Sequence, residues 1–316
     1  MKKLISLVVL SIAAMTLTAA SIQVMPPWTK GENNPALDKG VTFQVPDIDN
    51  VADLHGNPAG AQLVLFIGGN QFFVMPQLIA GFEAKHPELK GHIFYETLPP
   101  GILRKQIAAG NTLTLGNLTL QVQPDVYQAE SRALREMAAA GEVTDVIEYT
   151  TNTLAIMVAA GNPKHIQGLK DLAAPSLRLA LPNPEWEGIA NSIGDSLRKA
   201  GGDALFEKVY RAKVTDGSTR LTQIHHRQTP MYILSGQADA GVTWGSEVKF
   251  QQQIGNPITG IEIPENQNTT GVYAGAVVRN APHAAAARQW LVYLKSPEAQ
   301  GYYREFGFRS ISGANR

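Results

Sequence analysis

The chain has 316 residues, of which 44% are hydrophobic and 17% charged, so its size allows two lobes or domains and its composition is that of an ordinary globular protein. Basic and acidic residues number 27 each, which excludes the strongly basic surface that nucleic-acid binding favours. The lack of cysteine excludes disulfides, thiolate chemistry and a lipid anchor on an N-terminal cysteine. Stability must therefore come from the core.

Residues 1–20 have the pattern of a cleavable secretory signal peptide. Lys2-Lys3 form a positive start, Leu4 to Ala14 an apolar centre, and Thr18-Ala19-Ala20 a small-residue cleavage site. The apolar centre is shorter than a membrane span, although a retained anchor is the alternative. We expect export to a bacterial periplasm.

Residues 21–60 are expected to form an irregular N-terminal arm, because proline, glycine and asparagine punctuate them throughout. The arm contains a possible metal cluster, formed by Asp47, Asp49, Asp53 and His55. Its spacing lacks the glycine and the distal glutamate of a calcium loop, so we expect a solvated arm rather than a metal site.

An alternation of strands and helices begins at Gln62. Leu63–Ile67 is a continuous apolar run, as expected of a strand that is buried on both faces. A helical pattern follows as far as Lys85, with Pro76 in its first turn, so this turn is either kinked or begins later. Further strands are predicted at 93–95 and 124–127, and further helices at 102–109 and 129–140.

A second series begins at Leu154. Its strands are predicted at 154–158, 178–181, 240–244 and 273–278, and its helices at 169–172, 189–199, 284–294 and 297–306. Gly201-Gly202 is expected to end the helix at 189–199. Strands that alternate with helices in this way predict an α/β protein with parallel sheets.

The stretch from Ile224 to Glu247 combines a helix with a cluster of side chains that can carry positive charge. Thr229 is expected to cap the helix, Pro230 to be its first residue and Ser235-Gly236 to end it. The side chains that precede the helix are His225, His226 and Arg227. A helix N-terminus has unpaired N–H groups and partial positive charge, so this segment favours an anion or a ligand with acceptor oxygens. The alternative is a basic loop before a surface helix.

Several short motifs occur in an order and spacing that together resemble one family. The motifs are Phe82-Glu-Ala-Lys-His-Pro87, Gln106-Ile-Ala-Ala-Gly110, Gly161-Asn-Pro163, Leu169-Lys-Asp-Leu-Ala173, Asn183-Pro-Glu185, Gly236-Gln-Ala-Asp-Ala-Gly241, Trp244-Gly-Ser-Glu247, Leu294-Lys-Ser-Pro-Glu-Ala-Gln300 and Phe306-Gly-Phe308. The sequence resembles the periplasmic solute-binding proteins of the molybdate type, which serve ABC importers. The resemblance covers about residues 62–309 and leaves out the arm.

This resemblance implies a type II periplasmic binding protein fold of the α/β class. Such a fold has two lobes, each a mostly parallel sheet flanked by helices, with two crossover strands as the hinge. Lobe 1 would combine 61–150 with 248–316, and lobe 2 would be 151–247, with crossovers near Thr150–Leu154 and Trp244–Phe250. The lobes would close over a ligand by hinge rotation, and the closed form would dock on an ABC transporter permease in the inner membrane.

The family's ligand contacts and the basic segment together give the candidate ligand-binding positions, which are Asn70, Gln71, Gly101, Tyr127, Glu187, His226, Arg227 and Trp244. Their chemistry departs from the family pattern, because Asn70 stands where relatives place a serine, and the second serine falls at Pro100-Gly101, which offers no hydroxyl. Alternative roles are helix capping for Asn70 and Gln71, core packing for Trp244 and Tyr127, and a solvated charge at a helix start for Glu187.

We therefore expect a periplasmic binding protein that traps a small anionic solute for an ABC importer. The solute would be an oxyanion of the molybdate or tungstate type or a small organic anion. The alternatives are a ligand-sensing module for a membrane receptor and the binding of a metal complex. We expect no catalysis, cofactor or resident metal, because the sequence has neither a Gly-x-Ser-x-Gly elbow nor a His-Glu-x-x-His helix. His225-His226 with Glu187 is only a weak metal signal.

Overall fold

Strands and helices occupy most of the chain that the structure describes. The computed structural model describes residues 52–115, 118–223 and 225–311, so the predicted signal peptide, residues 21–51 of the arm and Ile224 lie outside the described residues. The strands are β1 (Leu54–His55), β2 (Leu63–Ile67), β3 (Ile93–Glu96), β4 (Thr112–Leu115), β5 (Leu118–Gln121), β6 (Val126–Glu130), β7 (Val143–Asn152), β8 (Leu154–Ala159), β9 (Leu179–Leu181), β10 (Thr219–Leu221), β11 (Ala240–Trp244), β12 (Ile258–Glu262) and β13 (Gly271–Val278). The α-helices are α1 (Met75–Lys85), α2 (Pro100–Ala108), α3 (Ser131–Ala139), α4 (Ile189–Glu207), α5 (Lys213–Thr215), α6 (Gln228–Leu234), α7 (Gly245–Gln253), α8 (Ala284–Leu294) and α9 (Pro297–Glu305). Within the described ranges, no helix has both the length and the apolar character needed to cross a lipid bilayer.

The first sheet has the strand order β1-β3-β2-β6-β13-β7. The block β3-β2-β6 is parallel, while β1, β13 and β7 pair antiparallel with their neighbours. Strand β2 is buried on both faces, as its apolar run predicts. Leu63, Leu65 and Ile67 pack in the core that includes α1, α8 and α9, whereas Val64 and Phe66 pack in the core that includes α2 and α3. The alternation follows from the two-residue period of a strand.

The second sheet has the strand order β10-β9-β11-β8-β12. The block β10-β9-β11 is parallel, and β8 and β12 pair antiparallel. The expectation of mostly parallel sheets is therefore correct for one block of three strands in each sheet and wrong for the remaining strands. Parallel pairing requires a helical crossover between strands. The chain enters β8 and β13 from the other sheet without such a crossover, and these two strands pair antiparallel with both of their neighbours, which include β12 and β7.

The chain passes between the two sheets twice. The first passage is at Thr153, between β7 and β8, which lies inside the predicted crossover Thr150–Leu154. The second passage is residues 263–270, between β12 and β13, and not Trp244–Phe250 as the sequence predicts. The predicted position is wrong because β12 still pairs with β8, so the second sheet extends to Glu262.

Proline and glycine set several helix boundaries. Pro76 is the second residue of α1, where the missing N–H has no helical partner in any case, so the helix begins there without a kink. The predicted start at Thr229-Pro230 is wrong, because α6 begins earlier, at Gln228, and Pro230 lies within its first turn. Gly201-Gly202 interrupts α4 as predicted, with Gly202 at a φ of 71°, but the helix resumes and continues to Glu207.

The end of the predicted arm belongs to the first sheet. Strand β1 pairs with β3 at the sheet edge, and Leu54 is fully buried. Asp53 forms an ion pair with Arg227, with 2.6 Å between Oδ1 and Nη2. The expectation of a solvated arm is therefore wrong for residues 53–55, whereas Asn57, Ala59 and Gly60 are exposed. The proline and glycine in this segment mark the turn after a short edge strand rather than an unpacked chain.

We expect Leu54→Ala to lower the free energy of unfolding by about 2–5 kcal/mol, because it leaves a cavity at a fully buried site. Urea unfolding of the protein without its first 20 residues measures the change. Val292→Ala is the control, since that side chain is 66% exposed, and it should change the free energy by less than about 0.5 kcal/mol. Equally small changes in both variants would show that β1 is not part of the core.

Candidate functional site

A small cavity lies between elements of the first sheet and elements of the second. The lining residues are Gly68, Gly69, Asn70, Pro99, Pro100, Ala129, Glu130, Glu187, Gly188, Ile189, His225, His226, Trp244, Gly271 and Tyr273. The volume open to water-sized groups is about 40 Å³. This is roughly three times the ~10–15 Å³ that one water molecule needs, so the cavity fits a ligand of a few non-hydrogen atoms.

His225 lines this cavity, and its side chain has a buried hydrogen-bond donor that is not used. The backbone N–H of Arg227 donates to Nδ1 at 3.0 Å, which assigns the ring proton to Nε2. Burial and the charges of Arg227 and His226 lower the pKa of His225 well below its ordinary value, so the ring is neutral. The buried Nε2 has no hydrogen-bond partner in the described part of the chain. Buried donors are normally paired, so an acceptor atom of a ligand fits this position.

Two glycines allow the wall segments of the cavity to approach each other closely. A Cβ at Gly69 would lie 2.3 Å from Nε2 of His225 and 2.3 Å from the carbonyl oxygen of Thr97. At the start of α2, the N–H of Gly101 donates to the carbonyl oxygen of Trp186 at 3.2 Å, and a Cβ there would lie 2.6 Å from that oxygen. A larger residue at either position would force the two sides apart.

His226 lies between two buried carboxylates in what we term the Glu–His–Glu cluster, formed by Glu187, His226 and Glu247. Nδ1 is 2.5 Å from Oε2 of Glu187, and Nε2 is 2.9 Å from Oε1 of Glu247. Burial by itself lowers the pKa of His226, but the charges of Glu247 and Glu187 and the hydrogen bonds to them raise it to about 10. The ring is therefore an imidazolium at neutral pH, and the cluster carries a net negative charge.

The carboxylate of Glu187 is fully engaged within the protein. One oxygen accepts the backbone N–H of Asn183 at 3.0 Å and the hydroxyl of Thr222. The other oxygen accepts the backbone N–H and the Nδ1–H of His226, each at 2.5 Å. Glu187 therefore lines the cavity without presenting a free oxygen to a ligand.

Glu187, His225 and His226 are also close enough together to be considered as metal ligands, since their ligand atoms lie within 4.8 Å of one another. The hydrogen bonds argue against this role. Both ring nitrogens of His226 face carboxylates, and Nε2 of His225 carries the ring proton. A metal needs unprotonated nitrogen and free carboxylate lone pairs, so this donor set does not fit a metal ion.

Four of the predicted positions line the cavity: Asn70, Glu187, His226 and Trp244. The amide of Asn70 donates to the hydroxyl of Tyr273, and the ring of Trp244 packs edge-on against Tyr273 with 5.8 Å between ring centroids. The polar side-chain atoms of His226 and Glu187 are engaged with each other and with Glu247, Asn183 and Thr222. Direct contact of these four residues with a ligand stays a prediction.

The other four predicted positions are Gln71, Gly101, Tyr127 and Arg227, and none of them is among the lining residues. The side-chain oxygen of Gln71 accepts hydrogen bonds from the hydroxyls of Tyr149 and Tyr303, each at 2.9 Å, so it serves the core. The hydroxyl of Tyr127 donates to the carbonyl of Pro100 at 2.9 Å and supports the cavity wall from behind.

Arg227 is the position whose location differs most from the sequence-based expectation. Its guanidinium pairs with Asp53 and lies over the ring of Phe72, 5.3 Å from the centroid. The two partners of this ion pair come from different sides of the cavity, because Asp53 precedes β1 of the first sheet and Arg227 precedes α6 beside the second. The geometry therefore makes Arg227 a link across the molecule rather than a lining residue.

The candidate ligand-binding positions left out three lining residues that carry polar groups, Glu130, His225 and Tyr273, although the sequence placed His225 in the segment that favours an anion. The signal for Glu130 was its place at the carboxyl end of β6, next to the end of β2. The ends of adjacent parallel strands meet at one edge of a sheet and often form a site. That signal was lost because the strand was predicted at 124–127, which put Glu130 inside the next helix.

Two mixed sheets joined by two passages, with a small cavity between them, form the fold of a type II periplasmic binding protein. The chain belongs to the family of bacterial extracellular solute-binding proteins, whose family model matches residues 63–309. The predicted family and the predicted fold class are thereby confirmed. This family is defined by solute binding and not by a catalysed reaction.

Comparisons with individual proteins agree with this assignment. The molybdate-binding protein ModA of Mycobacterium bovis is 26% identical over 211 residues, which cover 66% of this chain and 74% of that protein. The structure of the sulfate-binding protein SubI from Mycobacterium tuberculosis superposes with a TM-score of 0.64 at 18% identity, covering 80% of this chain and 87% of that one. The periplasmic molybdate-binding protein of Azotobacter vinelandii gives a TM-score of 0.62 at 16% identity, covering 79% and 99% of the two chains.

The Glu–His–Glu cluster predicts a specific pH dependence of stability. The pKa of His226 rises from about 6.5 in the unfolded chain to about 10 in the folded protein. The contribution of His226 to the free energy of unfolding is therefore complete below pH 6.5 and is lost as the pH rises towards 10. The loss is on the order of a few kcal/mol. Urea unfolding between pH 6 and 10 should show this decline in the wild type and a flatter profile in His226→Gln. Parallel profiles for the two proteins would contradict the assigned imidazolium.

Proposed function

We propose that this protein is a periplasmic solute-binding protein that traps a small anionic solute between two lobes and delivers it to an ABC importer. The observation that carries the proposal is at His225, which lines a small cavity between the two sheets and whose buried Nε2–H has no partner in the described part of the chain. In the proposal, an oxygen atom of the solute accepts the hydrogen bond from this donor.

The size of the cavity supports a small solute. About 40 Å³ is open to water-sized groups, which suits an oxyanion or a small organic acid and is too little for a sugar or a peptide. The start of α4 supports an anion in particular, because Gly188 and Ile189 line the cavity at the N-terminus of that helix. The unpaired N–H groups of a helix N-terminus stabilise negative charge.

The charges around the cavity support binding through neutral donors rather than through a cation. The imidazolium of His226 is held by Glu187 and Glu247, so its charge is already neutralised. The N–H groups of His225 and of the α4 start act in a low dielectric once water is excluded, where each hydrogen bond is stronger than in water.

We propose that each sheet with its helices forms one lobe, and that the lobes rotate about Thr153 and residues 263–270. This keeps the predicted lobes, 61–150 plus 248–316 and 151–247, except that residues 248–262 move to the second lobe with β12. The ion pair of Asp53 with Arg227 and the hydrogen bond from Gly101 to Trp186 link the two sides, so both would form on closure. Arg227 would thus act on ligand affinity by stabilising the closed form.

The names of the relatives support the compartment and the partner. The relatives include a molybdate-binding protein, sulfate-binding proteins and a putative ABC transporter substrate-binding lipoprotein of Bacillus subtilis. In our proposal residues 1–20 direct export and are removed, the protein works in the periplasm without catalysing a reaction, and an inner-membrane permease receives the solute. No nucleic acid is involved.

A thermal-shift screen of the protein without residues 1–20 tests the proposal. Molybdate, tungstate, sulfate, phosphate and small carboxylates are the probes. A probe at 100 times its dissociation constant should add about 2.7 kcal/mol of stability. Absence of a response to every anion would contradict the proposed class of solute.

We expect His225→Ala to weaken binding of the anion found in the screen by about 10–100-fold, because one hydrogen bond to a charged group is lost. Isothermal titration calorimetry measures the dissociation constants of both proteins. His92→Ala is the control, since His92 is exposed and is not among the lining residues, and it should bind as the wild type does. Unchanged affinity in His225→Ala would place the histidine outside the site.

A further inference from the structure

The carboxyl group of Glu130 faces the cavity and is not explained by the binding of an anion. Glu130 is the last residue of β6, and it lines the cavity opposite Gly188 and Ile189. A Cβ at Gly188 would lie 3.8 Å from Oε2 of Glu130, which places the carboxyl beside the start of α4. The same helix start that favours an anionic ligand therefore already has a carboxyl group next to it.

Glu130 differs from Glu187 in its hydrogen bonding. Whereas Glu187 accepts four hydrogen bonds, the carboxyl of Glu130 makes no hydrogen bond or ion pair with any residue that the structure describes. Burial raises the pKa of Glu130, while Arg132 lowers it and Asp195 raises it. Arg132 is itself paired with Glu136, so it does not supply a donor to the cavity.

Two groups that only accept hydrogen bonds cannot lie side by side at low cost. An ionised carboxylate has no donor, and neither does a fully ionised oxyanion. If both occupied the start of α4, their charges would repel in a medium of low dielectric. A ligand that carries one O–H or N–H removes the conflict, because that group donates to Glu130 while the remaining ligand oxygens accept from His225 and the α4 amides.

We propose that Glu130 selects ligands that carry a hydrogen-bond donor, so that the solute is a protonated oxyanion or a small hydroxy or amino acid rather than a fully ionised oxyanion. This inference rests on the proposed function, since it assigns the solute class of the same cavity. Glu130 accepts a hydrogen bond from the O–H or N–H of the ligand. His225 and the amides at the start of α4 donate hydrogen bonds to the ligand's oxygens.

Two matched pairs of probes test the inference by isothermal titration calorimetry at pH 8. Hydrogen phosphate and sulfate are similar tetrahedral dianions, but only hydrogen phosphate has a proton to donate. Glycolate and acetate are both monocarboxylates, but only glycolate has a hydroxyl. In the pair that binds, we expect the donor-bearing member to bind at least about 100-fold more tightly, as sites built around a hydrogen bond do.

The variant Glu130→Gln should reduce this preference at least about tenfold, because the glutamine amide can donate to the probe that lacks a proton. Glu136→Gln is the matched control, since Glu136 follows on α3, is exposed and is not a lining residue, and it should keep the wild-type preference. The wild-type ratio alone decides the inference if the variant does not fold.

The outcomes separate this inference from the function on which it rests. If the wild type binds sulfate or acetate with a dissociation constant within tenfold of that for the donor-bearing counterpart, the role proposed for Glu130 is wrong. The protein would still be an anion-binding protein. An unaltered preference in Glu130→Gln would also overturn the role of Glu130. Binding of none of the four probes, together with a negative anion screen, would contradict the proposed function as well.

Discussion

A protonated imidazole between two buried carboxylates connects three segments of the second sheet's side of the molecule. Glu187 precedes α4, His226 precedes α6 and Glu247 lies in the first turn of α7. Removing one member of such a cluster leaves a buried charge without a partner, which costs roughly 3–5 kcal/mol. The position of the His226 backbone is therefore strongly determined, and His225 stacks on His226 with 4.3 Å between ring centroids. The position of the buried donor of His225 therefore depends on a cluster whose charged groups pair with one another.

In this arrangement most of the charged side chains near the cavity pair with one another, so other groups remain to bind the ligand. The residues that carry full charges near the cavity, Glu187, His226 and Glu247, neutralise one another in part, and Arg227 is paired with Asp53. Apart from the carboxyl of Glu130, the groups that remain for a ligand are dipoles, namely an imidazole N–H and the amides at the start of a helix. Dipoles fixed by the fold select by direction and distance, since their attraction falls off faster than that of a charge. Selectivity among small anions would then depend on fit and on the match of donors with acceptors.

The fold could be read from the sequence where one local signal determined it. The apolar run Leu63–Ile67 predicted its strand because a strand that is buried on both faces consists of such a run, and the short segment Ala240–Trp244 was also predicted correctly as a strand. Strand β1 could not be predicted, because two residues give no periodicity and its pairing with β3 is a long-range event. The second passage was misplaced because the family's landmark at Trp244 ends a strand, while β12 carries no comparable motif.

The site was only partly predictable, for a different physical reason. Sequence pattern correctly drew attention to the segment with His225, His226 and Arg227, but it could not show where each side chain points. In the structure these neighbours have three roles: a donor to the cavity, the centre of an ion cluster, and a partner for a residue 174 positions away. Glu187 was identified as a candidate position, yet three of its four hydrogen-bond donors come from Thr222 and His226, in a distant segment that no local pattern joins to it.

The two passages between the sheets are fastened to each other. The side chain of Asn268, in the longer passage, accepts the N–H of Leu154 at 3.0 Å and donates to the carbonyl of the same residue at 2.8 Å. Leu154 directly follows the single residue of the shorter passage. The two passages are thus hydrogen-bonded to each other, so bending of the chain at one passage must also deform the other. Two passages joined in this way would bend together more easily than they would shear or twist. The two sheets would then be limited to one kind of opening motion.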